Sequence, residues 1–552
     1  MTLRSVSHVL VTLVLSLAAS LILSSSSSRA SARNSLEQTE RLYADLMDAS
    51  SILAAIDSGL FITYKGKDRA AWKRVRDEKY KEITALLERI SAKDLSAADA
   101  RALKLMRKTV QSMATDQTSP EHKFHCKDAQ NRDLKNADLR SALYSCFDEL
   151  GNNLEFEGNQ LNRVSALDLL AEIVEPERRK SLFMAFVPLW KVINGNDETE
   201  SPYRRMIAQS SADTAKNGSP ADEAAQTLGV QAAQIETWLM QILDAWRETS
   251  DDQQVEPWDY RYLASQADRL LAKAIPRESL PPIAQHYYKD LGADLKQLGI
   301  LYDLDPRPGK APLAYTDFVV RGHIVHHEWR PTVAYISGNY ARGGLGLLNE
   351  FVHENGHAAH MMALHTRPAF MDLGDPVFYE ALADVPSWDV YEPAWQKKYL
   401  GRSAPYSDSM RALYSGVMLD VAWALFEIRL LHNPAADPNA SWAEITSHYL
   451  HIVPHPELAW WAVRVQLVDA PGYMVNYGLG AVITADIRSR IQESLGPFAT
   501  GNPQWYRWIS EHLLRQGMEH ETSVELKEFL GRPVSLDALL ANIKAMAEIS
   551  PQ

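Results

Sequence analysis

Apolar residues recur at intervals of three and four positions along most of this chain, the spacing of helices that bury one face. Turn-forming residues interrupt the spacing at 194–197, 217–220, 305–309 and 432–434. The pattern therefore predicts a mainly α-helical protein. The predicted helices cover residues 36–55, 70–90, 97–113, 137–161, 221–247, 409–431 and 505–516.

A run rich in β-branched and aromatic residues at 329–337 predicts a strand, because such residues favour extended backbone. Gly338 ends this run, and a glycine-rich segment follows at 341–346. The segment lacks the Lys-Ser/Thr ending of a phosphate-binding loop, so we expect it to form a turn before the next helix. Strand signals elsewhere are few. The expected fold class is mainly α with a small β element beside that helix.

The pattern His-Glu-x-x-His occurs at His353, Glu354 and His357. Residues four apart on a helix project from the same face, so both imidazoles can hold one metal ion. Glu354 lies beside them and can act as a general base on a water bound to that ion. The pattern therefore predicts a zinc hydrolase. The alternative is an ordinary solvated helix face that carries two histidines.

A zinc site of this type needs a third protein ligand and leaves a fourth position open for water. Glu380 is the candidate, because it lies in an apolar run that predicts the next helix, and adjacent antiparallel helices would bring it to the ion. A scheme with a third histidine six residues beyond the pair is excluded, since Ala363 occupies that position. We expect His360 to lie behind the ligands or at the surface.

Two further carboxylates lie one helical turn from the predicted ligands. Asp384 follows Glu380 by four residues, so it can accept the free N–H of a ligating imidazole. The alternative is an acidic residue that caps or pairs on a partly exposed helix. Glu350, one turn before His353, has the same two interpretations.

The stretch 349–384 resembles the active-site helices of the gluzincin oligopeptidases, which include thimet oligopeptidase, oligoendopeptidase F and angiotensin-converting enzyme. The shared details are Gly356 before the second histidine and the Glu-Ala-x-x-Asp run that begins at Glu380. Trp258-Asp-Tyr260 is similar to an upstream segment in the thimet branch, and the resemblance covers about residues 257–490. It implies a zinc peptidase in which two helical lobes enclose a deep cleft that admits short, unstructured peptides.

The resemblance also implies that tyrosines of a late helix donate hydrogen bonds to the oxyanion of the tetrahedral intermediate, worth about 3 kcal/mol each. The matching run 470–480 offers Tyr473 and Tyr477, which fall on one helical face. The alternative is two core tyrosines with satisfied hydroxyl groups. In these families the strand before the zinc helix lines the cleft and pairs with extended substrate.

The chain departs from the family pattern at the substrate-binding histidine. The families place a histidine five to seven residues before the first tyrosine, whereas residues 466–468 here are Gln-Leu-Val. His323 is a weak substitute, since it precedes His353 by thirty residues, a spacing similar to that in angiotensin-converting enzyme. The competing choices are His326, His327, His451 and His455.

Length and charge limit the remaining possibilities. A chain of 552 residues with 46% apolar content buries a large core, and we expect a helical lobe at 33–255 and a catalytic lobe at 256–552. The net charge of −13, without a basic stripe, argues against nucleic acid as a partner. We expect a monomer whose partners are short peptide substrates.

The first 32 residues have the features of a signal peptide. Arg4 supplies the positive start, 9–23 the apolar segment, and Ala30-Ser-Ala32 a cleavage site. We therefore expect export, to a periplasm or to the medium, and no stable membrane span after cleavage, since no later run reaches the eighteen apolar residues that a span needs. An uncleaved N-terminal anchor is the alternative.

The chain contains two cysteines, Cys126 and Cys146. An even pair in an exported protein favours a disulfide over two buried thiols. Closing a loop of this length would contribute about 3 kcal/mol on the chain-entropy model.

These observations together predict an exported zinc metallopeptidase with one Zn²⁺ per chain. His353, His357 and Glu380 would hold the ion and Glu354 would serve as the base. Dipeptide release from carboxyl ends is an alternative to internal cleavage, because the sequence identifies no lysine or arginine for a terminal carboxylate. A catalytically silent peptide-binding protein is the second alternative, which the missing histidine favours.

Overall fold

The computed structural model describes residues 4–60, 66–117, 124–249, 253–307, 310, 314–325 and 328–548, with the backbone alone at 4–30, 114–117 and 547–548. It is mainly helical, as the apolar spacing predicts. The helices are α1 Arg4–Asp57, α2 Arg69–Arg89, α3 Ala97–Gln117, α4 Asn136–Cys146, α5 Arg163–Glu172, α6 Pro176–Met184, α7 Val187–Asn194, α8 Pro202–Asn217, α9 Pro220–Leu228, α10 Ala232–Glu248, α11 Pro257–Ala264, α12 Gln266–Leu271, α13 Leu280–Asp290, α14 Leu295–Leu298, α15 Leu345–Ala363, α16 Pro376–Ser387, α17 Pro393–Leu400, α18 Tyr406–His432, α19 Pro438–Leu450, α20 Gln466–Asp469, α21 Met474–Leu495, α22 Trp505–Ile509, α23 Thr522–Leu530 and α24 Asp537–Glu548.

The strands are short and form three small sheets. They are β1 Leu154–Phe156, β2 Asn159–Leu161, β3 Leu301–Asp303, β4 Tyr315–Val320, β5 His323–Val325, β6 Glu328–Arg330 and β7 Val333–Ser337. In the three-stranded sheet, β7 is central, parallel to β3 and antiparallel to β4. Within the described residues, β4 is therefore an edge strand, and β1–β2 and β5–β6 are separate hairpins.

Two predicted helices are interrupted by turns. In the range 137–161, α4 ends at Cys146, a π turn continues it over Phe147–Gly151, and the β1–β2 hairpin follows, whose turn residues Glu157 and Gly158 have φ of 50° and 78°. The helix predicted at 221–247 divides into α9 and α10 at Gly229, which ends α9 in the left-handed conformation with φ 69°. At Gly229 the left-handed backbone thus ends a helix whose apolar spacing continues.

The strand predicted at 329–337 is also divided, into β6 and β7. Pro331 lies at the break, and its missing N–H cannot join a ladder of hydrogen bonds. The helix predicted at 505–516 begins as α22 and continues as a wider π turn at Ser510–Leu514. The helices predicted at 36–55, 97–113 and 409–431 lie within α1, α3 and α18, and the helix predicted at 70–90 matches α2 except for its last residue.

The main hydrophobic core includes buried side chains from Cys126 to Met546. Residues on both sides of the predicted boundary at 255 contribute to it, and the division into two lobes stays a prediction. Smaller clusters form where the N-terminal helices meet the rest of the molecule. Helix α15 packs against α13, α16, β4 and β7, while α16 packs against α21 and α21 against α18. Helix α15 is therefore enclosed by helices on some sides and by the three-stranded sheet on another.

Helix α1 lies against the sheet that contains β4. The Asp48 carboxylate accepts a hydrogen bond from the backbone N–H of Arg321, 2.8 Å, and pairs with Arg330, 2.8 Å. Ile52 packs with Val319 of β4 in a shared apolar cluster. Helix α1 passes without interruption through the predicted cleavage site after Ala32, and cleavage there stays a prediction.

The predicted disulfide is present between Cys126 and Cys146, whose Cα atoms are 4.4 Å apart. It joins a short 3₁₀ segment, Cys126–Gln130, to the last turn of α4. Among the residues whose side chains are described, no helix combines the length and hydropathy needed to cross a membrane.

Gly356 permits a close contact between α15 and α16, since a Cβ there would lie 2.8 Å from the Cα of Ala383. We expect Gly356→Ala to push the helices apart and lower the free energy of unfolding by about 1–3 kcal/mol. Urea unfolding measures this change. Gly416→Ala is the matched control, because its added methyl meets open space within α18 and should stabilise the helix by up to about 1 kcal/mol. Equal effects of the two substitutions would contradict the close-contact interpretation.

Candidate metal centre

Helices α15 and α16 bring the three predicted ligands together. His353 and His357 lie one turn apart on α15 with perpendicular rings, whose centroids are 4.7 Å apart. Oε2 of Glu380, from α16, lies 3.3 Å from Nε2 of His353 and 3.7 Å from Nε2 of His357. The three ligand atoms all lie within 4.8 Å of one another, so this partly buried group can hold a metal ion.

The electrostatics of the group favour positive charge at its centre. Burial alone would raise the pKa of Glu380, but hydrogen bonds and charge from His353 and His357 outweigh it and hold the pKa well below its ordinary value. Burial likewise opposes protonation of His353, yet Asp384 and Glu380 raise its pKa well above the usual range. The carboxylates therefore stabilise a cation at this point, whether a proton or a metal ion.

Asp384 makes the predicted contact with a ligating imidazole. Its Oδ1 lies 2.7 Å from Nδ1 of His353 and 3.1 Å from the Ser387 hydroxyl, which donates to it. Donation from Nδ1–H to this carboxylate leaves the Nε2 lone pair directed at the ligand group. Asp384 thus sets the tautomer and orientation of the ring.

Glu354 is 6% exposed and lies at the wall of a cavity of about 1050 Å³ that also contains the three ligands. Thr316 of β4 donates from its hydroxyl to Oε2 of Glu354, 2.6 Å. This contact fixes the carboxylate on the cavity side of α15. No sequence signal identifies Thr316, because the contact depends on where the sheet packs against the helix.

Glu350 also lines the cavity, one turn before Glu354. Burial and the charge of Glu354 raise the pKa of Glu350 to about 8. Glu350 is therefore mostly protonated at neutral pH, which removes repulsion between the two side chains. The partly buried position of Glu350 at the cavity wall favours a role in the site over the alternative of an acidic residue that caps or pairs on a partly exposed helix.

The two predicted tyrosines occupy different positions. Tyr477, in the first turn of α21, lines the cavity, whereas Tyr473 precedes the helix and is not among the described residues that line it. Tyr473 instead shares a hydrogen bond with Tyr379, whose ring centroid lies 5.7 Å from that of His357. Tyr379, adjacent to Glu380, is a cavity residue that sequence reasoning missed, although its position beside a predicted ligand is a usable signal.

The weak assignment of His323 to substrate binding receives no support from its position. His323 is 6% exposed in β5, where its Nδ1 lies 2.8 Å from Nη2 of Arg330, and it does not line the cavity. His455 lies between Glu256 and Glu457 outside the cavity wall.

The remaining histidines give no better candidate for substrate binding. His451 does not line the cavity either, and His326 and His327 fall outside the described residues. His360 is 2% exposed, which excludes the surface position and leaves the alternative position behind the ligands. Burial and the neighbouring His357 lower the pKa of His360 to about 3, which keeps it neutral behind the ligands.

Glu427 is a buried residue that holds the tyrosine segment in place. Its two carboxylate oxygens accept hydrogen bonds from the backbone N–H groups of Gly472, 2.9 Å, and Met474, 3.0 Å. These groups flank Tyr473 and begin the helix that carries Tyr477. A glutamate inside the apolar run of α18 was the available sequence signal for this role.

We expect Asp384→Asn to weaken metal binding, probed with Zn²⁺, by about tenfold to a hundredfold, because the amide neither carries the charge nor fixes the His353 tautomer as the carboxylate does. Zinc titration of metal-free protein against a competing chelator measures the affinity. Asp372→Asn is the control for the loss of one negative charge, since Asp372 lines the same cavity without a hydrogen bond to a ligand. Equal affinity losses in both variants would contradict an orienting role for Asp384.

We expect Glu427 to make the stability of the protein depend on pH. Burial raises its pKa from 4.5 to about 8, although the two backbone N–H groups oppose the shift. A raised pKa in the folded state means that stability decreases as the pH rises from about 5 to about 8. Glu427→Gln should reduce that decrease by at least about 1 kcal/mol, as urea unfolding across this pH range would show. Parallel curves for variant and wild type would contradict the assignment.

Comparison with known proteins identifies no family for this chain. No model of a known protein family matches it, and no curated protein matches it. The likeness to the gluzincin oligopeptidases therefore depends on the motif residues alone, and membership of that group stays a prediction.

Proposed function

We propose that this protein is an exported zinc peptidase that hydrolyses peptide bonds in short, unstructured peptides. The observation that carries the proposal is the convergence of His353, His357 and Glu380 at the wall of a large cavity, with Glu354 beside them. Two nitrogen donors and one carboxylate are the donor set of catalytic zinc sites, in which a fourth position stays open. The cavity provides the room that such an open position requires.

The residues present fit zinc well. Imidazole and carboxylate donors suit this ion, and the contact from Asp384 to His353 is the supporting interaction that ligating histidines commonly make. When bound, zinc supplies Lewis acidity and lowers the pKa of water to about 7. The protein's own side chains would carry out proton transfer and stabilise the oxyanion.

Glu354 would remove a proton from the attacking water and deliver it to the leaving amine. The Thr316 hydroxyl holds one oxygen of this carboxylate, so the other is free to receive the proton. The Tyr477 hydroxyl at the cavity wall would donate to the oxyanion, which is worth about 3 kcal/mol in comparable sites. Tyr379 and Tyr473, which share a hydrogen bond, would help to hold this part of the cavity wall in place.

Extended substrate would bind beside β4 rather than beside the strand predicted at 329–337. The main part of that prediction, β7, is paired on both sides, whereas β4 is an edge strand whose residues Tyr315, Thr316 and Phe318 line the cavity. Backbone pairing at a sheet edge tolerates varied side chains. This arrangement supports a preference for peptide conformation over peptide sequence.

Export is part of the proposal. The disulfide between Cys126 and Cys146 supports it, because such bonds persist in oxidising compartments. The apolar segment at 9–23 and the small residues at 30–32 supply the corresponding signal.

We expect zinc-loaded wild-type protein to cleave a mixture of peptides of about five to thirty residues, and Glu354→Gln to lose activity by at least about a hundredfold while binding zinc normally. Glu380→Gln should lose both activity and zinc. Mass spectrometry of the products and zinc titration measure these outcomes. Glu511→Gln, at an exposed position on the surface, is the matched control and should behave as wild type.

Two outcomes would redirect the proposal. Substantial cleavage by Glu354→Gln would show that another group is the base. Peptide binding without cleavage by zinc-loaded wild type would favour the silent binding protein. The product ends separate internal cleavage from dipeptide release.

A further inference from the structure

Three arginines from distant parts of the chain line one part of the cavity wall. Arg163 begins α5, Arg261 lies in α11, and Arg464 precedes α20. Burial and the positive charges of Arg464 and Arg261 lower the pKa of Arg163 to about 10. The three guanidinium groups therefore lie close enough to repel one another inside the cavity.

The hydrogen-bonding capacity of these arginines is largely unused. Arg464 pairs with Asp420, 2.7 Å, but its buried Nε has no hydrogen-bond partner among the described residues. Arg163 donates one hydrogen bond, from Nη1 to the backbone oxygen of Val463, 3.2 Å. The guanidinium of Arg261 makes no hydrogen bond or ion pair with any residue that the structure describes.

The nearby acidic groups neutralise the cluster only in part. Asp168 and Asp420 both lie within electrostatic range of Arg261. Each is already paired with another arginine, Asp168 with Arg342 at 3.3 Å and Asp420 with Arg464. Each guanidinium has five N–H donors, and these three side chains are only partly exposed, so they lose part of their hydration without gaining enough acceptors to replace it. An anion entering the cavity would supply the missing acceptors.

We propose that Arg163, Arg261 and Arg464 form an anion subsite that binds a carboxylate of the peptide substrate. The planar guanidinium matches the two oxygens of a carboxylate, which makes this the favoured ligand. The inference rests on the proposed peptidase function and defines its substrate class. The carboxylate can come from the carboxyl terminus of the peptide or from an aspartate or glutamate side chain.

The subsite lies near the reacting groups. The Arg464 guanidinium is 5.0 Å from the ring centroid of Tyr477. Asp420 lies within electrostatic range of Arg261, Arg464 and the ligand Glu380 alike. A carboxylate held here would therefore fix how the peptide lies across the metal centre. If the terminal carboxylate is the ligand, cleavage removes short fragments from the carboxyl end.

Peptide binding to zinc-loaded Glu354→Gln protein tests the subsite without hydrolysis. The probes are an N-acetylated pentapeptide of alanine and one tryptophan, as the free acid and as the amide, and the same amide with one internal glutamate. Isothermal titration should show binding of the acid about tenfold to a hundredfold tighter than that of the amide if the terminal carboxylate is the ligand. Tighter binding of the glutamate peptide alone assigns the site to acidic side chains.

Adding Arg261→Gln to this protein should remove the preference and leave affinity for the neutral amide within about twofold, because only the carboxylate contact is lost. Arg163→Gln provides an independent second variant if Arg261→Gln does not fold. Arg178→Gln is the matched control, since Arg178 is exposed on the surface with Glu157, and it should keep the full preference.

Equal affinity for all three peptides, or a preference that survives both Arg261→Gln and Arg163→Gln, would overturn the inference. This failure is distinct from failure of the proposed function. Cleavage of peptides by wild type without any acid preference would keep the peptidase and remove the subsite. Acid preference without cleavage would keep the subsite in a binding protein.

Discussion

The contact between Gly356 and Ala383 determines how closely α15 approaches α16, and the candidate metal centre depends on that distance. The imidazoles come from one helix and Glu380 comes from the other. A displacement of about an ångström between the helices would separate the carboxylate from both rings, and misplacements of that size are costly in active sites. The hydrogen bond from His353 to Asp384 crosses the same interface and resists the same displacement.

Charge is unevenly distributed along the cavity. Carboxylates concentrate where α15 meets α16, and burial keeps one of them, Glu350, largely protonated. Guanidinium groups concentrate where α5, α11 and the segment before α20 meet. A peptide in this cavity would experience a field with direction, in which a cation is favoured at one place and an anion at another. Such a field would select the direction in which a bound peptide lies more than the sequence of its side chains.

The sequence predicted the parts of the site that depend on local spacing. His353, Glu354, His357, Glu380 and Asp384 could be found because helical periodicity decides which side chains share a face. Thr316 and the arginine cluster could not, since their contacts arise from packing between elements far apart in the chain. The helix predicted at 137–161 was wrong in its second half, because the chain leaves the helix after a π turn at Phe147–Gly151 and forms the β1–β2 hairpin, although the apolar spacing continues.

The docking of α1 on the sheet has a consequence for how the molecule folds. Asp48 meets Arg321 across 273 residues of chain, and Ile52 packs with Val319 of β4, the strand that also carries Thr316. Contacts of such long sequence separation form slowly, because the entropy of closing a large loop must be lost before they contribute. We therefore expect the cavity wall that carries Thr316 to be completed late in folding, after the two ends of that loop have met.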